Sequence, residues 1–212
     1  MSVVGIVPAG GSGERLGASG PKAVAVCAGR PMLEWSLEAL SVACARVVVA
    51  VPEGFEGPPD RVPGGASRSA SVRNALAAAP EATVAVVHDA ARPLVTRALV
   101  ERCLSSLEDW EGAIAAAPVT DTVKEGDAAG RVVRTLDRTR LWAVQTPQVF
   151  RADALRAALA ATEERLAAAT DDASLVEDAG GRVRLVEAPP DNIKVTTPLD
   201  LQIAEAILRS RC

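Results

Sequence analysis

Residues 7–22, VPAGGSGERLGASGPK, set a run of small residues after an apolar stretch and add two cations, Arg15 and Lys22. Glycine lets backbone N–H groups approach a phosphate closely, and Gly10, Gly11, Ser12 and Gly13 supply such donors in succession. The two cations then meet the charge of a polyphosphate from other sides. Spacing weakens one familiar nucleotide loop and excludes another. For the dinucleotide fingerprint Gly11 and Gly13 fit, but Leu16 takes the third glycine's place and Gly17 comes one residue late. For the Walker loop, Pro21 separates Gly20 from Lys22, and Ala23 stands where a hydroxyl is needed. The plain alternative is a turn between a strand and a helix.

Further groups capable of chemistry are few. HDAARP at 88–93 puts Asp89 and Arg92 just after an apolar run. His88, the only histidine, reads as a hydrogen-bonded core residue at a strand end, and no nucleophile motif accompanies it. The four cysteines are far apart with no C-x-x-C pair, which argues against structural zinc. Asp171 and Asp172 read as a helix start rather than a metal pair. Of 23 basic side chains only three are lysines, Lys22, Lys124 and Lys194. A lysine kept in an arginine-rich chain points to a compact charge that a planar guanidinium would not replace.

These groups need a scaffold. Apolar runs at Val3–Val7, Val47–Val51, Val84–Val87 and Ile114–Ala117 alternate with helix-compatible stretches at Pro31–Val42, Ser69–Ala79 and Thr96–Leu107. The alternation predicts an α/β fold: a Rossmann-like, mostly parallel sheet with helices on both faces. Loops after the strands then share one edge, so the opening loop and HDAARP face each other across a crevice. RVRLVE at 182–187 and NIKV at 192–195 read as further strands, and Pro198–Arg209 as a closing helix. Pro118–Arg140 reads as a protruding β-hairpin arm that needs a partner surface, most simply a second copy of the chain in a homodimer. The 212 residues are expected to form one domain carrying that arm. The net charge of −4 and pI near 5.2 give no support for a nucleic-acid or membrane-surface partner. No apolar stretch approaches the ~20 residues of a membrane span, and the start lacks signal-peptide flanks, so a cytoplasmic protein is expected.

Seven segments, taken together, carry a resemblance: VPAGGSGERLG with Pro21-Lys22, GGASRSASV (64–72), HDAARP (88–93), DTVK (121–124), LDRTRLWAVQTPQVF (136–150), TDDASLVEDAG (170–180) and DNIKVTTPLDL (191–201). In this order, from Val3 to Leu208, the chain resembles the 2-C-methyl-D-erythritol 4-phosphate cytidylyltransferase family of the non-mevalonate isoprenoid pathway. The resemblance implies that CTP and methylerythritol phosphate give CDP-methylerythritol and pyrophosphate, with Mg²⁺ assisting. It assigns catalytic charge stabilisation to Arg15, Lys22, Arg138 and Lys194, and nucleotide binding to Pro8, Ala9, Gly10, Gly11, Gly13, Gly65, Ser71 and Asp89. Asp89 is also the implied metal ligand, and Arg92, Thr122 and Asp191 are the implied contacts of the polyol phosphate. Thr122 and Arg138 would come from the arm of a neighbouring subunit. The chain departs from the family in having Ala23 and Val24 after the Pro-Lys pair, where Gln and an aromatic are usual. It also has Gly10 in place of a second alanine and Ala66 where an acid is frequent. The rivals are a ribitol 5-phosphate cytidylyltransferase, a non-catalytic nucleotide-binding protein and, more distantly, a dehydrogenase.

Overall fold

The computed structural model describes residues 2–11, 16, 21–55 and 58–211. The first apolar run forms β1 (Val3–Pro8). After the opening loop come a short hairpin of β2 (Val26–Cys27) and β3 (Arg30–Pro31), then α1 (Met32–Ser41), β4 (Arg46–Val51) and β5 (Arg61–Pro63). α2 (Arg68–Ala77), β6 (Val84–Val87), α3 (Arg97–Ser105) and β7 (Gly112–Pro118) continue the expected alternation. An outlying pair, β8 (Lys124–Gly126) and β9 (Val132–Thr135), precedes the long β10 (Trp142–Arg151). The chain closes with α4 (Ala152–Leu159), α5 (Glu163–Ala168), α6 (Asp172–Asp178), β11 (Val183–Glu187) and α7 (Pro198–Arg211).

Seven strands make one sheet in the order β11-β7-β10-β6-β1-β4-β5. Every pairing is parallel except those of β10, which runs antiparallel to both β6 and β7. Strand alternation divides the core between the two faces. Val4 and Ile6 of β1 and Val48 and Ala50 of β4 pack under α2, α4, α5 and α6. Val7, Val49 and Val51 point the other way and pack with α1 and α3. The strands are therefore apolar on both sides, as a sheet covered by helices requires.

Local chemistry sets the helix starts. Ser67 caps α2 by accepting the Ala70 N–H (3.1 Å), and Thr96 caps α3 through the Leu99 N–H (3.3 Å). In the first turn of α7, Asp200 accepts the Thr196 and Thr197 N–H groups (2.8 Å each) while Thr197 Oγ1 accepts the Asp200 N–H (3.2 Å), a reciprocal cap. β7 is rich in alanine, a weak strand former, and Gly112 lies opposite Phe150 of β10. A Cβ at Gly112 would meet the Phe150 ring at 2.8 Å, so the missing side chain admits the aromatic one.

One expectation needs correction, and one strand was not foreseen. NIKV at 192–195 is not a strand. It is an extended loop whose Val195 N–H bonds to Ala91 O (2.8 Å), while Val195 packs beside α7. β10 adds a strand that the sequence reading did not include, and its Pro147 falls where pairing with β7 is irregular, between Val144 and Gln148. Within the stretch expected to form the arm, β8 and β9 pair as a two-stranded sheet of their own. Its Val132 and Val133 are 63% and 59% exposed.

At the β2–β3 turn, Ala28 has φ +50° and Gly29 φ +82°. The turn suits glycine or asparagine at both places, and Ala28 carries the left-handed penalty. Ala28→Gly is expected to raise stability by about 0.5 kcal/mol and Ala28→Val to lower it by about 1–2 kcal/mol. Urea unfolding measures both, and equal stability of the two variants would contradict the account.

Candidate active site

From β1 the chain moves outward to β4 and β5, then returns to place β6 on the other side of β1. Such a reversal opens a crevice at the carboxyl ends of the strands. A cavity of about 350 Å³ lies there, lined by Pro8–Gly11 after β1, Gly65–Arg68 after β5 and Asp89–Ala91 after β6, with Lys22, Ser71 and Lys194. A Cβ at Gly10 would meet no atom of the described residues within 4 Å, so packing against those residues does not require glycine there. Gly65 is different: a Cβ would lie 2.5 Å from that of Ala70, so the loop can approach α2 only without one. Its N–H donates to Ser71 Oγ (3.0 Å), and that hydroxyl donates to Ser67 O (2.9 Å).

Asp89 is nearly fully buried at the floor of this cavity. Its Oδ1 accepts from Arg68 Nε (2.9 Å) and its Oδ2 from Lys194 Nζ (2.7 Å). Burial alone would raise the carboxyl, but Arg68 and Lys194 outweigh it and hold Asp89 well below the usual carboxylate range. Arg68 Nη1 also donates to Asp172 Oδ2 (2.6 Å). Asp172 is fully buried and its other oxygen has no hydrogen-bond partner among the described residues. Burial pushes that carboxyl up and Arg68 opposes the shift. Asp171, not Asp172, is the helix cap, accepting the Ser174 N–H (3.0 Å).

A second cavity, about 450 Å³, opens on the far side of the same ion pairs. Arg92, Thr146, Gln148, Asp171 and Ser174 are among its lining groups. Arg68, Asp89 and Lys194 belong to both cavities and form their common wall. Arg92 is anchored by donating to Asn192 O (2.7 Å), and its Nε has no hydrogen-bond partner among the described residues. His88, fully buried, is a core residue as expected. Its Nε2 lies 3.2 Å from Arg92 O, which only accepts, so Nε2 carries the proton and Nδ1 accepts from Thr146 Oγ1 (3.0 Å).

Of the residues assigned from the sequence, Pro8, Ala9, Gly10, Gly11, Lys22, Gly65, Ser71, Asp89 and Lys194 line the first cavity, and Arg92 lines the second. Gly13 and Arg15 lie outside the described residues. Thr122 and Arg138 are on the exposed arm and line neither cavity of their own chain; Arg138 donates to Thr120 O. Asp191, expected at the substrate, instead pairs with Arg211 of α7 (2.8 Å) and lines neither cavity. Arg68 and Thr146 carry no signal of their own in the sequence, and Asp172 reads there only as part of a helix start. Arg68 and Asp172 lie 104 positions apart, and no local pattern announces their pairing.

The donor set also bears on Mg²⁺. No three His, Cys, Asp or Glu side chains converge among the described residues. Magnesium commonly takes one or two carboxylates plus substrate phosphates rather than an all-protein cage, and Asp89 at the cavity floor fits that pattern.

The family model described as 2-C-methyl-D-erythritol 4-phosphate cytidylyltransferase (IspD) matches residues 3–210. A relative of that name from Nocardia farcinica is 48% identical, over 99% of this chain and 95% of its own length. One from Saccharopolyspora erythraea is 45% identical, over 98% and 100%. The crystal structure of 2-C-methyl-D-erythritol 4-phosphate cytidylyltransferase from Thermus thermophilus superposes with a TM-score of 0.85 at 39% identity, covering 99% of this chain and 100% of that one.

The buried ring of His88 gives a pH prediction. Burial drives its pKa down to about 4, partly opposed by the Asp89 carboxylate. On acidification the unfolded chain therefore takes up a proton first. The stability that this group contributes is complete above pH ~6.5 and is lost as pH falls toward 4, on the order of 3 kcal/mol in all. Urea unfolding between pH 7 and 4.5 is expected to show a shallower acid loss in His88→Gln than in the parent; matching slopes would contradict it.

Proposed function

The chain belongs to the 2-C-methyl-D-erythritol 4-phosphate cytidylyltransferase family, and from that premise we propose that it joins CTP to 2-C-methyl-D-erythritol 4-phosphate, giving CDP-methylerythritol and pyrophosphate. The observation that carries the reading is the pair of cavities meeting at Arg68, Asp89 and Lys194. A nucleotide on one side of that charged wall and a polyol phosphate on the other bring two anions to one place.

CTP takes the first cavity, its base and ribose toward Gly65 and Ser71 and its phosphates along the backbone of Pro8–Gly11. The acceptor lies in the second cavity with its hydroxyls near Arg92 and its phosphate near Lys194. That phosphate is already anionic at neutral pH, so no base is required. One of its oxygens attacks the α-phosphorus in line, the bond from that phosphorus to the bridging oxygen breaks, and pyrophosphate leaves with the electron pair. Lys22 and Arg15 supply positive charge where negative charge crowds in the transition state, and positioning does the remainder. Asp89 would hold Mg²⁺ together with the substrate's own phosphates, and the ion would supply charge neutralisation there. The reading extends to a homodimer in which the arm of one subunit brings Thr122 and Arg138 to the acceptor phosphate of its partner. The exposure of Val132 and Val133 supports a covered arm.

Pyrophosphate release from CTP, Mg²⁺ and methylerythritol phosphate is the direct assay, with ribitol 5-phosphate and UTP in parallel arms. Turnover is expected only with methylerythritol phosphate and CTP, and to fall on the order of 10²-fold or more in folded Lys22→Ala and Lys194→Ala. Release with ribitol 5-phosphate alone would replace the acceptor. Silence with both acceptors in a protein that binds CTP would replace the enzyme by a nucleotide-binding protein.

Light scattering at micromolar concentration is expected to give twice the 21.9 kDa chain mass. A monomer with full turnover would remove the arm from the site.

A further inference from the structure

Asp172 is the charged group beside the wall for which the proposed reaction has no use. It lines neither cavity and is fully buried at the start of α6. It meets the wall through Arg68, whose Nη1 donates to Asp172 Oδ2 (2.6 Å) while Nε of the same guanidinium donates to Asp89 Oδ1 (2.9 Å). A clamp between α2 and α6 is the plain account. The helices do not need one: Ala70, Val72 and Leu76 of α2 and Ala173, Leu175 and Val176 of α6 already share one apolar core. An apolar pair of similar volume commonly stabilises as well as a buried ion pair does. The carboxylate is also incompletely served, since Oδ1 has no hydrogen-bond partner among the described residues. A charge kept out of water on those terms points to an electrostatic use.

That use follows from the balance of charge at the wall. Arg68 and Lys194 oppose Asp89 and Asp172, and the four charges cancel. Lys194 is the exposed member and pairs with Asp89 alone, so it is the cation that can turn to a substrate phosphate. Arg68 then remains, shared between two carboxylates, and one negative charge is in excess. With Asp172 neutral, Arg68 would cancel Asp89 outright. Arg92 also feels the Asp89 carboxylate and adds positive charge on the acceptor side, which makes the counterweight of Asp172 the more necessary. Screening is weak around a buried group, so its field reaches Asp89 across the guanidinium.

Resting on the cytidylyltransferase reading above, with Asp89 as the magnesium contact, we infer that Asp172 is a positioning residue acting through Arg68, whose buried charge keeps Asp89 from being neutralised and so couples Mg²⁺ to CTP binding. It touches neither the metal nor the nucleotide. The same charge repels a triphosphate that arrives without a metal. Metal-bound CTP is thereby favoured over the bare nucleotide, and the preference can be read without turnover. By linkage, the factor by which Mg²⁺ tightens CTP binding equals the factor by which the enzyme tightens Mg²⁺ on CTP.

Calorimetry of CTP binding in Mg²⁺ and in EDTA, with no acceptor present, tests the coupling. The parent is expected to bind CTP more tightly in Mg²⁺. Asp172→Asn keeps an oxygen for Arg68 and loses the charge. It is expected to reduce the Mg²⁺ enhancement at least about 5-fold, with bare CTP bound as tightly as by the parent or more so. Asp172→Glu keeps the charge and is expected to hold the enhancement within about 2-fold of the parent. A clamp alone predicts otherwise, because lost packing weakens both affinities together and leaves their ratio unchanged. An unchanged ratio in Asp172→Asn would overturn the inference, as would a ratio in Asp172→Glu as low as that of the asparagine variant. Should Asp172→Asn fail to fold, the ¹³C carboxyl resonances of the aspartate-labelled parent at pH 7 decide. Asp172 is expected among the ionised carboxylates, and a neutral aspartic acid signal would overturn the inference. A parent whose CTP affinity ignores Mg²⁺ would overturn it too, whereas absence of turnover in a parent that shows the coupling would count against the reading of function alone.

Discussion

A carboxylate taken out of water and held between two cations governs this molecule's architecture. An unpaired buried carboxylate costs several kcal/mol, so Asp89 at the carboxyl edge of β6 obliges Arg68 and Lys194 to converge on it. Arg68 is delivered by the first turn of α2, whose start is set by Ser67, and Lys194 by a loop pinned to Ala91 through Val195. Arg68 in turn draws Asp172 of α6 into the same array. Four segments distant in sequence are locked by one local electrostatic demand, and the two cavities are its two sides.

That demand explains what the sequence did and did not disclose. β1, β4, β6 and β7 are legible because strands buried on both faces are short apolar runs, and α1, α2 and α3 because helix-length stretches fill the gaps between them. The glycine loop and HDAARP are legible as chemistry because small residues and charges at strand ends have few structural uses. Arg68 and Asp172 are illegible singly: one resembles a surface arginine at a helix start, the other a helix cap, and only the fold opposes them. NIKV imitates a strand because Ile193 and Val195 serve a core beside α7 from an extended backbone that pairs with no strand. β10 hides for the opposite reason, since Pro147 conceals a strand whose proline falls at a break in the ladder. Asp191 has a partner that only the fold discloses, because within DNIKVTTPLDL its carboxylate pairs with Arg211 of the closing helix.

The scarcity of lysine acquires a structural meaning beside this array. At Asp89 the two cations have different neighbours: the guanidinium divides its planar fork between two buried carboxylates, while the ammonium serves one and is 44% exposed. A fork spread over two partners is a fixed part of the wall. A compact ammonium on a flexible stem can exchange its partner for a phosphate without dismantling the rest, and that asymmetry suits a site that must hold charge both before and after substrate arrives.

The break in β10 also constrains how the chain's length can vary. Val144 stands opposite Ala116 and Gln148 opposite Ile114, so β10 uses four residues where β7 uses two. Because side chains alternate across a sheet, Gln148 and Phe150 keep the faces they share with Ile114 and Gly112 only if the break returns them to this register. A change of length between the base of the arm and the sheet must therefore be absorbed within this break, between Val144 and Gln148, if Phe150 is to stay opposite Gly112, whereas the exposed turn at Asp127–Gly130 carries no such constraint.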